Sequence, residues 1–99
     1  MPGKPGPHSS FHDAFGRAVR ETRARRNLSQ EELGCISGLH RNYVGAIERG
    51  EINPTLRVIL KLATGLHIEA SELVRLTELR HHERPAHPAP PSAQPNPQT

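Results

Sequence analysis

Residues 29–50 constrain this chain more than any other stretch. Ser29, followed three residues later by Glu32, is a capping box, in which each side chain satisfies a free backbone amide at a helix start. Leu33 is spaced to face a core, and Gly34 beside it carries no side chain. Gly38 falls where a helix must end and turn sharply, a place that favours a residue tolerant of positive φ. Leu39 then packs under the turn, while Val44 and Ile47, three apart, form the buried stripe of a second helix. Two helices meeting at a steep angle need a small residue where they cross and a glycine where the chain turns. No single match is informative, but the joint spacing is specific. It predicts two short helices joined by one tight turn, the second starting with the polar residues His40, Arg41 and Asn42.

The rest of the chain reads as support for that unit. A first helix is predicted from residue 11 or 12 to about 26, with Phe11, Phe15, Ala18, Val19 and Thr22 on one face and Asn27 ending it. The loop Gly50-Glu51-Ile52-Asn53-Pro54 leads to Thr55, which caps a fourth helix with Leu56, Ile59, Leu60, Ala63 and Leu66 as its buried side. Ile68 anchors a fifth, from about residue 70 to 79 or beyond, carrying Leu73, Leu76 and Leu79 at threefold spacing. No alternating strand pattern occurs, so the fold class is all-α with five short helices. Nine of the ten prolines lie in residues 1–10 or 83–99. Those ends hold almost no large apolar side chains and are read as disordered tails around one domain at 11–82. So small a domain has a limited core and gains from dimerisation.

Charge and cysteine content narrow the function. The formal net charge is +3, and eleven of the thirteen basic residues are arginine, which suits bidentate contacts to phosphate or guanine. Arg17, Arg20, Arg23, Arg25 and Arg26 crowd the first helix, and Arg41 and Arg49 flank the third. The single cysteine excludes an internal disulfide. With no long apolar run and no apolar signal region, a cytoplasmic location is expected. His81, His82 and His87 form no familiar zinc spacing, so no metal and no cofactor is expected. No phosphate-cradling glycine loop or nucleophile–base pair is visible, so no enzymatic activity is expected and no small-molecule substrate.

The segments Leu28-Ser29-Gln30-Glu31-Glu32-Leu33 and Tyr43-Val44-Gly45-Ala46-Ile47-Glu48-Arg49-Gly50 resemble the DNA-binding domain of the lambda-repressor-like, or Xre/Cro, helix-turn-helix family. Asn53-Pro54-Thr55-Leu56 and Leu60-Lys61-Leu62-Ala63 continue the likeness, which covers roughly residues 15–76. A domain this compact is similar to stand-alone regulators such as restriction-modification controllers. The resemblance implies a transcriptional regulator whose partners are double-stranded operator DNA and a second copy of itself. It assigns base contacts to His40, Arg41, Asn42 and Ala46, and backbone contacts to Gln30, Tyr43, Arg49 and Asn53. Arg41 would bond to guanine and Asn42 to adenine. For Arg41 and Asn42 a plain polar helix start, and for Tyr43 partial packing on the core, are the alternative readings. Arg23 and Glu48 match a family pair that joins the first and third helices as a structural ion pair. The dimer surface is placed on Ile68, Leu73, Val74, Leu76 and Leu79, some of which must also fill the monomer core.

Four positions depart from the family pattern. Ser37 replaces an apolar residue and loses core area unless its hydroxyl bonds to backbone. Cys35 and Ile36 fall where the family is polar and exposed. His67 stands where a glycine often ends the fourth helix. An antitoxin that represses its own promoter and wraps a partner protein shares this fold. Its tail would need apolar anchors, and residues 83–99 contain no Leu, Ile, Val, Phe, Tyr or Trp.

Overall fold

The computed structural model describes residues 10–82, where the regular elements are all α-helices: α1 Ser10–Arg25, α2 Gln30–Ser37, α3 Arg41–Glu48, α4 Leu56–Leu66 and α5 Ala70–His82. The stretches read as disordered tails lie outside the described residues, apart from Ser10 at the start of α1, and so does His87.

Several helix boundaries have a local chemical cause. α1 stops because Asn27 takes a left-handed conformation, φ 59°, which lets the Leu28 amide reach back to the Arg23 carbonyl at 3.1 Å. α2 opens on the capping box: the Glu32 amide donates to Ser29 Oγ at 2.9 Å, and the Ser29 amide donates to Glu32 Oε1 at 2.8 Å. It ends at Gly38, φ 75° and ψ 32°, after which the Leu39 amide donates to the Gly34 carbonyl at 2.7 Å. Thr55 Oγ1 accepts the Val58 amide at 3.2 Å and starts α4. His67 ends α4 at φ 61°, a left-handed conformation that a β-carbon makes less favourable than glycine would.

α1 is the hub, lying against α3, α4 and α5, while α2 bridges α3 and α4. The core consists of Phe15, Ala18 and Val19 of α1, Leu33 of α2, Val44 and Ile47 of α3, Val58, Leu62, Ala63 and Leu66 of α4, and Leu73 of α5. Fully burying one of these large aliphatic side chains contributes about 1.5–3 kcal/mol. Close helix approach depends on missing side chains. A β-carbon at Gly34 would stand 2.4 Å from the Leu39 carbonyl oxygen, so the α2–α3 turn closes only over a glycine. At Gly16 it would stand 2.4 Å from the carbonyl oxygen of Ile47 and 2.6 Å from that of Glu48, which is how α1 reaches the end of α3.

The structure corrects the sequence reading in three places and decides a fourth. Phe11 is 55% exposed and lies outside the α1 stripe, its ring stacked on His81 of α5 at 3.9 Å between centroids. On α4, Leu56 and Leu60 are 70% and 48% exposed, and the buried side is Val58, Leu62, Ala63 and Leu66. The cause is Gly65: a β-carbon there would meet Ser37 Oγ at 2.2 Å and Leu33 Cδ1 at 2.9 Å. α4 thus turns its smallest residue toward α2, which rotates Leu56 and Leu60 outward. Leu73 is wholly buried in its own core, so it is withdrawn from the dimer surface. Finally, the Ser37 hydroxyl is buried without a hydrogen-bond partner, so no backbone bond offsets the lost apolar area.

Candidate nucleic-acid interface

At 100° per residue, Arg41, Asn42, Gly45, Ala46 and Arg49 fall on one side of α3, opposite Val44 and Ile47. Burial follows that division: Val44 and Ile47 are fully covered, while Arg41, Asn42 and Arg49 are exposed and Ala46 is half-buried. The helix therefore presents an outward polar face whose orientation is fixed from behind by the core.

A second constraint is polar. Arg23 Nε donates to Glu48 Oε2 at 2.7 Å and Arg23 Nη2 to Glu48 Oε1 at 3.0 Å, with the Glu48 side chain only 2% exposed. Arg23 Nη1 donates to the Leu28 carbonyl at 2.8 Å, and Gln30 Nε2 donates to Glu48 Oε1 at 3.0 Å. One carboxylate thereby ties the end of α1, the start of α2 and the last turn of α3 together. The hydrogen bond to Glu48 raises the Arg23 pKa against the opposing effect of burial. Because Gln30 gives an N–H to Glu48, its amide is oriented with Oε1 toward Gly45, where a β-carbon would stand 3.4 Å from that oxygen. The same β-carbon would stand 3.1 Å from Arg49 Nη1. Gly45 is the gap over which the Gln30 amide and the Arg49 guanidinium lie side by side.

The other assigned residues are placed as follows. His40 is the N-cap of α3: its Nδ1 accepts the Asn42 amide at 2.9 Å, leaving an outward Nε2–H as the pole available to a partner. Arg41 and Glu31 face each other across the turn at 3.6 Å, both exposed. Arg49 is held by Glu51 in a two-point pair, Nε to Oε2 at 2.8 Å and Nη2 to Oε1 at 3.2 Å, which raises the arginine pKa further. Tyr43 is half-buried and packs against the core. Asn53 is exposed and shares a shallow groove with Phe11, Ile59 and Val74. Sequence reasoning missed the cap at His40, the room at Gly45 and the carboxylates facing the two arginines. A carboxylate two residues after Arg49 was the one visible signal for the last of these.

On α5, Val74 and Leu79 are exposed, whereas Ile68 and Leu76 are half-buried against the core. Val74 shares its groove with Ile59, and helical spacing places Leu56 one turn before Ile59 and Leu60. No group of His, Cys, Asp or Glu side chains suited to hold a metal ion occurs among the described residues, and no described helix is long and apolar enough to cross a membrane.

Comparison with known proteins agrees with this geometry. A family model described as "Helix-turn-helix" matches residues 19–73. The control protein C.SmaI of Serratia marcescens is 43% identical over 65 residues, spanning 66% of this chain and 77% of the relative. The crystal structure of the restriction-modification controller protein C.AhdI from Aeromonas hydrophila superposes with a TM-score of 0.64 at 51% identity, covering 66% of this chain and 98% of that one. The controller protein C.Esp1396I, solved as a tetramer in complex with its natural 35-base-pair operator, shares the fold with a TM-score of 0.71 at 21% identity, over 77% of this chain and 100% of that one. The chain belongs to the helix-turn-helix family of DNA-binding transcriptional regulators, with control proteins of restriction-modification systems among its relatives.

Proposed function

We propose that this protein is a controller-type regulator that binds an inverted-repeat operator as a homodimer, each α3 entering the major groove. The observation that carries the reading is the outward face of α3, held from behind by the Arg23–Glu48–Gln30 network. Arg41 and Asn42 lead that face into the groove, with His40 and Ala46 beside them. A bidentate arginine–guanine or asparagine–adenine contact supplies about 1–3 kcal/mol of discrimination against a wrong base. Gln30 and Arg49, adjacent over Gly45, grip the sugar–phosphate backbone, and Tyr43 and Asn53 extend that grip. The cellular setting that fits is the bacterial cytoplasm, with the protein on DNA.

Dimerisation is assigned to the α4–α5 side. Val74 and Leu79 are exposed on α5 and Leu56 and Leu60 on α4, while Ile59, Ile68 and Leu76 are half-buried against the core. A twofold pairing there would set half-sites about one helical turn, ~34–36 Å, apart. C.Esp1396I, solved as a tetramer on its operator, supports an oligomeric mode for a chain of this fold.

Selection of bound duplexes from random DNA tests the reading, and an inverted repeat is the expected result. Against that operator, Arg41→Ala should relax preference at one base pair per half-site. Equal weakening on all sequences would make Arg41 a phosphate clamp instead. Sedimentation that finds only monomer at micromolar concentration, with and without operator, would sink the dimer.

A further inference from the structure

Five arginines fall in α1 or directly after it, and the fold gives four of them a partner. Arg23 is bonded to Glu48, and Arg26 donates to the His67 carbonyl at 3.0 Å. Arg25 donates to Thr22 Oγ1 at 3.4 Å, and Arg17 lies 4.0 Å from Glu21. Arg20 differs: it is exposed, and among the described residues its guanidinium has no hydrogen-bond or ion-pair partner. Its place on the helix is specific. Asp13, Gly16, Arg20 and Arg23 recur at three- and four-residue spacing, so they share one flank of α1. The other three abut the end of α3. A β-carbon at Gly50 would collide with the Asp13 carboxylate, Gly16 lies against the Ile47 and Glu48 carbonyls, and Arg23 holds the Glu48 side chain. Arg20 therefore stands on the flank that borders the α3 terminus, about one turn from Arg23.

We propose that Arg20 is a phosphate-binding residue by which α1 extends the backbone grip of Gln30 and Arg49. Position and charge carry the inference together. Arg23, on the same flank, shares the Glu48 carboxylate with Gln30, so this side of α1 runs into the start of α2 and the end of α3. Those are the two elements that supply the grip, and a strand lying across both passes the α1 flank beside them. Arg23 is largely covered and bonded to Glu48 and the Leu28 carbonyl, which leaves Arg20 as the exposed cation there. An arginine with no partner breaks no ion pair on meeting DNA, and its planar fork suits a phosphate. Such a contact carries no sequence information, so it strengthens binding to operator and non-operator duplexes alike.

The inference rests on the DNA-reading assignment, and one set of titrations separates the two. Wild type, Arg20→Gln, Arg20→Lys and the control Arg75→Gln are titrated by fluorescence anisotropy against a duplex bearing the selected operator and a scrambled duplex of equal length, over a range of salt. Arg75 is an exposed arginine on α5 paired with Glu72 at 2.8 Å, so its loss removes the same charge from another element. Arg20→Gln should weaken binding to both duplexes by the same factor, about threefold to tenfold per dimer. Its salt slope should fall by about one phosphate per subunit. Arg20→Lys should keep the wild-type slope, and Arg75→Gln should change affinity by less than about twofold. The urea midpoint of Arg20→Gln should stay at the wild-type value, since the side chain is exposed and unpaired. An unchanged slope in Arg20→Gln, a slope lost equally in Arg20→Lys, a lowered midpoint or an equal weakening in Arg75→Gln overturns the inference and leaves the DNA-reading assignment intact. A wild-type protein that does not prefer the operator overturns the assignment itself.

Discussion

Two arginine–glutamate pairs sit three residues apart at the end of α3, and they differ in nearly everything except chemistry. Arg23–Glu48 and Arg49–Glu51 are both two-point pairs with a shortest distance of 2.7 and 2.8 Å. The first is covered, at 16% and 2% side-chain exposure, and the second is open, at 58% and 45%. Burial makes the first irreplaceable: removing either partner strands a charge in a medium that solvates it poorly. Water makes the second exchangeable, because solvent screens the charges and can take the place of either partner with little loss. The inner pair therefore fixes where α3 points, and the outer pair lies in reach of solvent. Position relative to solvent, and not the identity of the residues, separates scaffold from reading surface.

That contrast breaks most readily at Glu48. Glu48→Ala leaves the largely covered Arg23 guanidinium and the Gln30 amide without their shared acceptor, and should lower stability by about 3 kcal/mol in urea denaturation. A loss under about 1 kcal/mol would mean that the inner pair is as exchangeable as the outer one.

Ser37→Ala sharpens the same point from the opposite side. Its buried hydroxyl has no partner, so deleting it should raise stability by about 1 kcal/mol. A destabilised variant would show that the hydroxyl is solvated after all.

Gly45→Ala separates folding from reading. Alanine in mid-helix should stabilise α3 by about 0.5–1 kcal/mol, while its methyl pushes the Arg49 guanidinium and Gln30 amide out of line. The expected signature is a higher melting temperature with weaker operator binding. Unchanged operator affinity would remove Gln30 and Arg49 from the backbone grip. The smallest effect belongs to Glu51→Gln, which should leave the denaturation midpoint where it is, since both partners are exposed to water. A clear drop in midpoint would place that pair in the scaffold.

Much of the fold was legible because helix signals are local. The Ser29–Glu32 box, Gly38 at positive φ, Asn27 as the stop of α1 and Thr55 as the start of α4 each act within a few residues, and each appears at its expected place. The faces of α1 and α4 were harder. Period alone offers several apolar stripes on α4, and the choice between Leu56-Leu60 and Val58-Leu62 turns on Gly65 meeting Ser37 and Leu33, two residues more than twenty-five positions away.

The site divides along the same line. That Arg41, Asn42, Ala46 and Arg49 share one side of α3 follows from 3.6 residues per turn, and an outward polar face follows from Val44 and Ile47 opposite. Which charges neutralise which does not follow from spacing. Glu48 could be matched to Arg23 only by its likeness to a family pair, and nothing in the order of residues places the Gln30 amide on the same carboxylate. Leu73 illustrates the limit most simply: a leucine on α5 at threefold spacing suits either a core or a partner surface. Local hydrogen bonding and helical period set the elements and their polar faces from the order of residues alone. The packing of α1 against α3 and of α2 against α4, contacts between segments distant in the chain, decided which side chains were covered, and coverage decided which arginine holds the fold and which is left exposed on the outward face of α3.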